Sequence, residues 1–285
     1  MPFNQQSNRA NPVIRFRSAN FFVAAILVLG VVGCDNEKFT PPPTEAEFSV
    51  GAFSVPYPSD VFITYAALNE AALVQAGAPG ASLTNTPIIP SAEDASDTGD
   101  VLIAQGFLDG FSVTMPMQLD FTHNLDPSTV VGGQTVRVFE ISISPPSATF
   151  AASGAPIAMP TSIIREFQAD SDYSVSMSKS VGYQIVVRPR IPWPASDNVS
   201  LGGQSRGILV AVTNGVRDFR GNPIIRSDQY DRMANQIDSD TGIESIDAFA
   251  NSVGAMVGSS LQLLAAQGMN PADIVVSNSF TCQSV

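Results

Sequence analysis

Between Met115 and Val187, apolar side chains return at every second position in several short runs, a period that fits an extended strand with one buried face. Met115, Met117, Leu119 and Phe121 alternate with Pro116, Gln118 and Asp120; Tyr173, Val175 and Met177 form a second set, and Tyr183, Ile185 and Val187 a third. Thr135–Ile143 and Ile208–Thr213 are rich in β-branched residues, which suit a pleated, packed surface. Turn chemistry punctuates these runs at Asp126-Pro127-Ser128-Thr129, at Asn214-Gly215 and between Asp218 and Pro223. Strands separated by turns, with no helix between them, predict a mainly β chain: an antiparallel β-sandwich over about residues 101–225.

The ending has a different period. Ile246, Phe249, Ala250, Val253, Val257, Leu261 and Leu264 recur at helical spacing. Thr241-Gly-Ile-Glu244 reads as a capping box at the start of this helix, and Gly268 suits its end. Asn270-Pro271 breaks the chain, and Ile274–Phe280 reads as a final strand. One amphipathic helix packed across the sandwich and a last strand rejoining a sheet are therefore expected over about 240–281. Between Glu45 and Asp100 the chain is rich in Ala, Gly, Pro and Ser; short strands and loops are expected, with a helical turn around Ala66–Gln75.

The amino terminus carries a separate signal. Arg9, Arg15 and Arg17 precede the apolar run Phe21–Leu29, and small residues lead to Val31-Val32-Gly33-Cys34. A basic start, a short greasy middle and a small-residue cut describe a secretion leader. The run falls short of the roughly 20 residues that span a bilayer. The cysteine after the small residues resembles the lipobox of bacterial lipoproteins. That resemblance implies a leader over 1–33, acylation of Cys34 and a lipid-anchored chain in the bacterial cell envelope, with the outer membrane or cell surface as its address. Residues 34–44, polar and proline-rich after the cysteine, read as a flexible tether, and 45–285 as the folded body.

Charge limits the partners. The chain has a formal net charge of −12, and the leader contains only bases, so the remainder is more acidic still. Such a body repels nucleic acid and anionic headgroups, which leaves the acyl chains on Cys34 as its membrane contact. With Cys34 acylated, Cys282 has no thiol partner and reads as a small buried residue. His123 is the sole histidine, which argues against a Cys/His metal site. No cofactor or metal ligand set is expected.

Several local patterns mimic catalytic motifs. Gly203-Gln-Ser205-Arg-Gly207 matches G-x-S-x-G, but that chemistry places the serine on a strand-to-helix turn with a later histidine. Here a loop-like stretch precedes Ser205, a strand follows it, and no histidine comes after His123. Ser176-Met-Ser-Lys179 and Ser196-Asp-Asn198 echo penicillin-recognising enzymes, yet Ser176 sits in a strand pattern, and Lys38 and Lys179 are the only lysines. The acids of Asp94–Asp100 and Asp238-Ser-Asp240 lack EF-hand spacing and read as solvated loops. His123 reads as a surface or turn residue, and Trp193 as a core residue. No catalytic residue is assigned.

Seven stretches together resemble one family, the amino-terminal region of bacterial virulence-factor lipases. They are Val55-Pro-Tyr-Pro-Ser-Asp60, Leu108-Asp-Gly-Phe-Ser112, Asn124-Leu-Asp-Pro-Ser-Thr-Val130, Val136-Arg-Val-Phe-Glu140, Leu209–Asp218, Gly221-Asn-Pro-Ile224 and Ser279-Phe-Thr-Cys-Gln-Ser284. The likeness runs from about Phe53 to the last residue. The middle portion, Leu119 to Ile224, is also similar to bacterial Ig-like domains. In that family an α/β-hydrolase domain with the nucleophile elbow follows, and the Phe-Thr-x-Gln-Ser element lies near the junction. The resemblance implies the accessory part of a lipase, a binding or spacer module whose partners are a lipase catalytic domain or a lipid substrate. A split or truncated lipase, with its hydrolase domain beyond Val285, is the alternative. An adhesion-type surface module is a third reading, resting on fold analogy alone.

Overall fold

The computed structural model describes residues 41–52, 54–62, 110–144, 158–178, 182–196 and 204–284. The leader, Cys34, most of the tether, the helical turn at Ala66–Gln75 and the acids of Asp94–Asp100 lie outside them. One compact unit spans Pro43–Val285. It contains strands β1 (Met117–Asp120), β2 (Val136–Ser144), β3 (Met159–Glu166), β4 (Tyr173–Met177), β5 (Gln184–Pro189), β6 (Ser205–Thr213) and β7 (Ile274–Thr281). Helices α1 (Asp228–Ala234) and α2 (Glu244–Ala266) separate β6 from β7.

The strands form two antiparallel sheets, one of three strands in the order β1-β5-β4 and one of four in the order β3-β2-β6-β7. The arrangement is sandwich-like and mainly β, as the alternating runs predict. In β1, Met117 and Leu119 are buried while Gln118 is exposed. Tyr173 ties the sheets together: its hydroxyl donates to the Val136 carbonyl (3.2 Å) and accepts from Gly133 N–H (2.9 Å).

The central strands do not alternate. Seven of the nine residues of β6 and all eight of β7 are buried, because α2 packs against the four-stranded sheet through β3 and β7. Burial on both faces erases the period of two. On β7, Ser277 meets the Tyr230 hydroxyl of α1 at 2.7 Å, whereas Phe280 stacks edge-on with Phe111.

Sequence reasoning missed two elements. Strand β3 lies at a sheet edge, carries Pro160, and leaves Thr161, Ser162, Ile164 and Arg165 exposed; an edge strand tolerates proline and needs no apolar stripe. Helix α1 has seven residues, too few to display a helical period, and Ser227 caps it by accepting from Tyr230 N–H at 3.3 Å.

Helix α2 buries Phe249, Ala250, Val253, Val257, Leu261 and Leu264 as expected, but Ile246 is exposed. Its start also differs from the expected capping box. The N-cap is Ile243, which makes no side-chain cap bond. Gly242, at φ +76°, turns the chain so that Thr241 falls short of the cap position. Asp247 organises the entry instead, accepting at Oδ1 from Ser239 Oγ (2.8 Å), Thr241 N–H (2.8 Å) and Thr241 Oγ1 (2.9 Å). These bonds, that from Thr241 N–H foremost, hold its carboxyl below the usual range. Gly268, at φ +78°, follows the helix end as anticipated.

The Tyr173→Phe substitution should cost about 0.5–1.5 kcal/mol in urea unfolding, because the phenol's hydrogen bonds at the sheet contact are lost while Gly133 N–H keeps its bond to the Val136 carbonyl (2.9 Å). A cost near zero would show that the contact contributes nothing.

Candidate functional site

An edge strand exposes unpaired main-chain groups, and one with every side chain buried needs its edge covered. Three separate chain segments cover the end of β7. Segment 54–62, which enters through Val55-Pro-Tyr-Pro, supplies side chains. Asp60 Oδ1 accepts from Thr281 N–H at 2.7 Å, and Asp60 Oδ2 lies 3.4 Å from the Ser279 hydroxyl, which donates to it. Ser59 Oγ donates to Asn278 Oδ1 (2.6 Å), and Asn278 Nδ2 donates to the Pro58 carbonyl (2.7 Å).

The second segment contributes main chain. Phe111 N–H donates to the Thr281 carbonyl (2.8 Å) and its carbonyl accepts from Gln283 N–H (2.9 Å), forming a parallel bridge with Cys282. Gly110 permits this approach: a Cβ there would lie 2.6 Å from the Cys282 carbonyl carbon and the Gln283 nitrogen. The third segment is Ser196, whose N–H donates to the Gln283 carbonyl (3.0 Å) and whose hydroxyl donates to the Cys282 carbonyl. On the other side of β7, Cys282 N–H donates to the Arg206 carbonyl (2.9 Å).

Charge is buried at the same place. Asp60 is fully inaccessible. Burial pushes its carboxyl from an ordinary 3.8 up to about 7, against the opposing hydrogen bonds from Thr281 and Ser279. Glu140, also buried, accepts from Arg165 Nε (2.8 Å) and from Arg206 Nη1. Arg206 Nε is buried without a hydrogen-bond partner among the described residues. Cys282 is completely buried, and its thiol is pushed up first by burial and then by the Asp60 and Glu140 charges, with Arg206 opposing. It therefore stays protonated, as a small packed residue and not a nucleophile.

The residues singled out in the sequence fall in different places. Ser205 is the first residue of β6, paired with Ile143 and buried, and strand follows it. This is not the strand-to-helix elbow of a serine hydrolase. The glycine of that pattern has a packing role: a Cβ on Gly207 would lie 2.7 Å from the Phe280 carbonyl oxygen and 2.1 Å from Ile143 Cδ1. His123 lies in a bend after β1, in the other sheet, with Nδ1 3.0 Å from Thr122 Oγ1. Ser176 is in β4, while Lys179, Asp197, Asn198 and Gly203 lie outside the described residues. Trp193 is buried, donates from Nε1 to the Met115 carbonyl (3.1 Å) and stacks edge-on with Phe167. Asp238 and Asp240 are exposed. No group of three His, Cys, Asp or Glu side chains with metal-binding geometry occurs among the described residues.

In the sequence, Asp60, Gly110 and Thr281 stand only within the stretches that carry the family resemblance, with no local sign of a physical role. Their partners lie far apart in the chain, so no local period joins them.

A family model described as bacterial virulence factor lipase N-terminal matches residues 51–285. The chain belongs to that family. The match spans all three segments of the clasp on β7, including its last described residues. Comparison with curated proteins and with solved structures gives no match. In this lipase N-terminal family member, Val55–Asp60, Gly110 with Phe111, and Ser279–Ser284 meet at the clasp.

The buried carboxyl makes stability depend on pH with a defined sign. A group whose folded pKa is raised contributes most below its unfolded value and loses that contribution as pH rises through the folded value. Unfolding free energy should fall between pH 4 and pH 8 by up to about 4 kcal/mol from this group. In Asp60→Asn, which keeps an acceptor for Thr281 N–H, the decline should flatten. Denaturant titrations across that range test it; equal slopes in both proteins would contradict the assignment to Asp60.

Proposed function

We propose that this chain is a non-catalytic, lipid-anchored envelope module that presents a firmly held C-terminal strand to a lipase catalytic domain. The observation that carries this reading is the convergence of three segments on Ser279–Ser284, the element near the family's junction with its hydrolase domain. A strand end fixed on both sides by main chain and side chain sets the orientation of whatever it contacts. A frayed end would set none.

Acyl chains on Cys34, the tether of residues 34–44 and the acidic body fit a spacer role. The acyl chains supply membrane affinity, and the body stands off anionic headgroups. Among the described residues no helix is long and apolar enough to cross a membrane. The proposed address is the cell envelope, at the outer membrane or cell surface. The sandwich of about residues 101–225 is read as Ig-like, with β7 and α2 completing the body.

The purified chain should leave short- and long-chain acyl esters uncleaved, and Ser205→Ala should change nothing. Mass spectrometry should find an acylated peptide beginning at Cys34, and Cys34→Ala should move the protein from the membrane pellet to the soluble fraction. Ester turnover lost on Ser205→Ala, or an unacylated mature terminus, would overturn the corresponding half of the reading.

A further inference from the structure

A cleft of about 650 Å³ opens between α1, the first half of α2, the loop that joins them and residues 49–52. It shares no residue with the clasp on β7. Its volume lies within the 300–1,000 Å³ range typical of binding clefts.

The lining has two chemistries. Met233 and Ala250 are buried in its wall. Ile237 and Ile246 line it while 52% and 41% exposed, and Ile243, 53% exposed, lies on the connecting loop beside it. Large apolar side chains left this open, and gathered at one cleft, mark an interaction surface. Around them stand Asp228, Asp238 and Asp240, all exposed and in no ion pair among the described residues. Arg232 is the single basic residue of the lining, and its Nη2 donates to the Asp238 carbonyl at 2.7 Å. The cleft is therefore apolar within and net negative at its rim.

The acidic loop is held in shape before any partner arrives. Ser239 N–H donates to Asn251 Oδ1 (2.7 Å), and Asp247 gathers Ser239 and Thr241 as described above. Gln236 adopts a left-handed φ of +55°, a conformation unfavourable for a non-glycine residue. Its Nε2 donates to the Met233 carbonyl (2.9 Å) and the Gly254 carbonyl (3.2 Å), bridging α1 to α2 at the cleft. An ordered rim reduces the entropy lost on binding.

We infer that this cleft receives a basic amphipathic segment of a partner protein, its aliphatic face against Ile237 and Ile246 and its lysines or arginines against Asp228, Asp238 and Asp240. Charge complementarity selects this occupant. An anionic lipid surface or an acidic peptide would meet like charge, and a purely apolar segment would leave the aspartates without partners. The mode is the docking of an amphipathic element in a groove, with the acids steering encounter and register.

The test uses the full chain and a fluorescent synthetic peptide of leucine and lysine in helical amphipathic order, followed by anisotropy at low salt. A second peptide replaces each lysine with glutamate. The lysine peptide should bind, weaken as salt rises, and bind at least tenfold more tightly than the glutamate peptide. The Asp238→Asn/Asp240→Asn pair and the Ile237→Ser/Ile246→Ser pair should each weaken it roughly tenfold. Asp170→Asn, at an exposed acid elsewhere, should change it less than twofold. Circular dichroism of these surface variants should match that of the parent. Absence of binding, or equal binding of the glutamate peptide, overturns the proposal. So does a loss confined to the aspartate pair, which would assign the binding to diffuse surface charge.

Discussion

The fold depends on satisfying the edge of a strand that is buried along its whole length. β7 has β6 on one side, but its other edge would present bare main chain to the core were it not covered. Tyr230, Asp60 and Phe111 cover it at Ser277, Thr281 and Gln283, the Ser196 hydroxyl closes the end between Cys282 and Arg206, and the Asp60–Thr281 bond joins residues 221 positions apart. Such a contact closes a long loop, which carries an entropic cost. A carboxyl at this point is costly to bury in charged form. The fold accommodates it by raising the pKa and by directing Thr281 N–H and the Ser279 hydroxyl at its oxygens.

The four-stranded sheet is covered on both faces, which explains what the sequence does and does not reveal. Strands β1, β4 and β5 lie in the three-stranded sheet, and their alternation is visible in Met117–Phe121, Tyr173–Met177 and Tyr183–Val187. β6 and β7 were legible through β-branched content and turn punctuation, as Ile208–Thr213 before Asn214-Gly215 and as the run after Asn270-Pro271. β3 was not legible, because an edge strand with Pro160 and exposed serine and threonine has no period. The start of α2 was misread because Gly242 turns left-handed and moves Thr241 away from the cap. Of the candidate site, the participating stretches were visible as a resemblance, but the pairing of Asp60 with Thr281 was not. That pairing is a tertiary fact with no local trace. The G-x-S-x-G pattern shows the converse: Gly207 is required by the close approach of β6 to β7, and Ser205 is a strand residue.

Acidic residues occur in two settings in this molecule. The buried carboxyls Asp60 and Glu140, the latter paired with half-buried Arg206 and exposed Arg165, sit in the interior near β7. Exposed charge around the α1–α2 cleft, combined with open isoleucines, supplies a surface. The proposed positioning role rests on these two features, the hydrogen-bonded end of β7 and the chemically distinct cleft between α1 and α2.

Amide hydrogen exchange resolved at Phe111, Thr281, Cys282 and Gln283 tests the central claim most directly. If the clasp makes the end of β7 part of the core, these amides exchange only through global opening, with the same free energy as Leu209 and Val210 in β6. Exchange at Thr281 and Gln283 by local fraying, while β6 stays protected, would contradict the account.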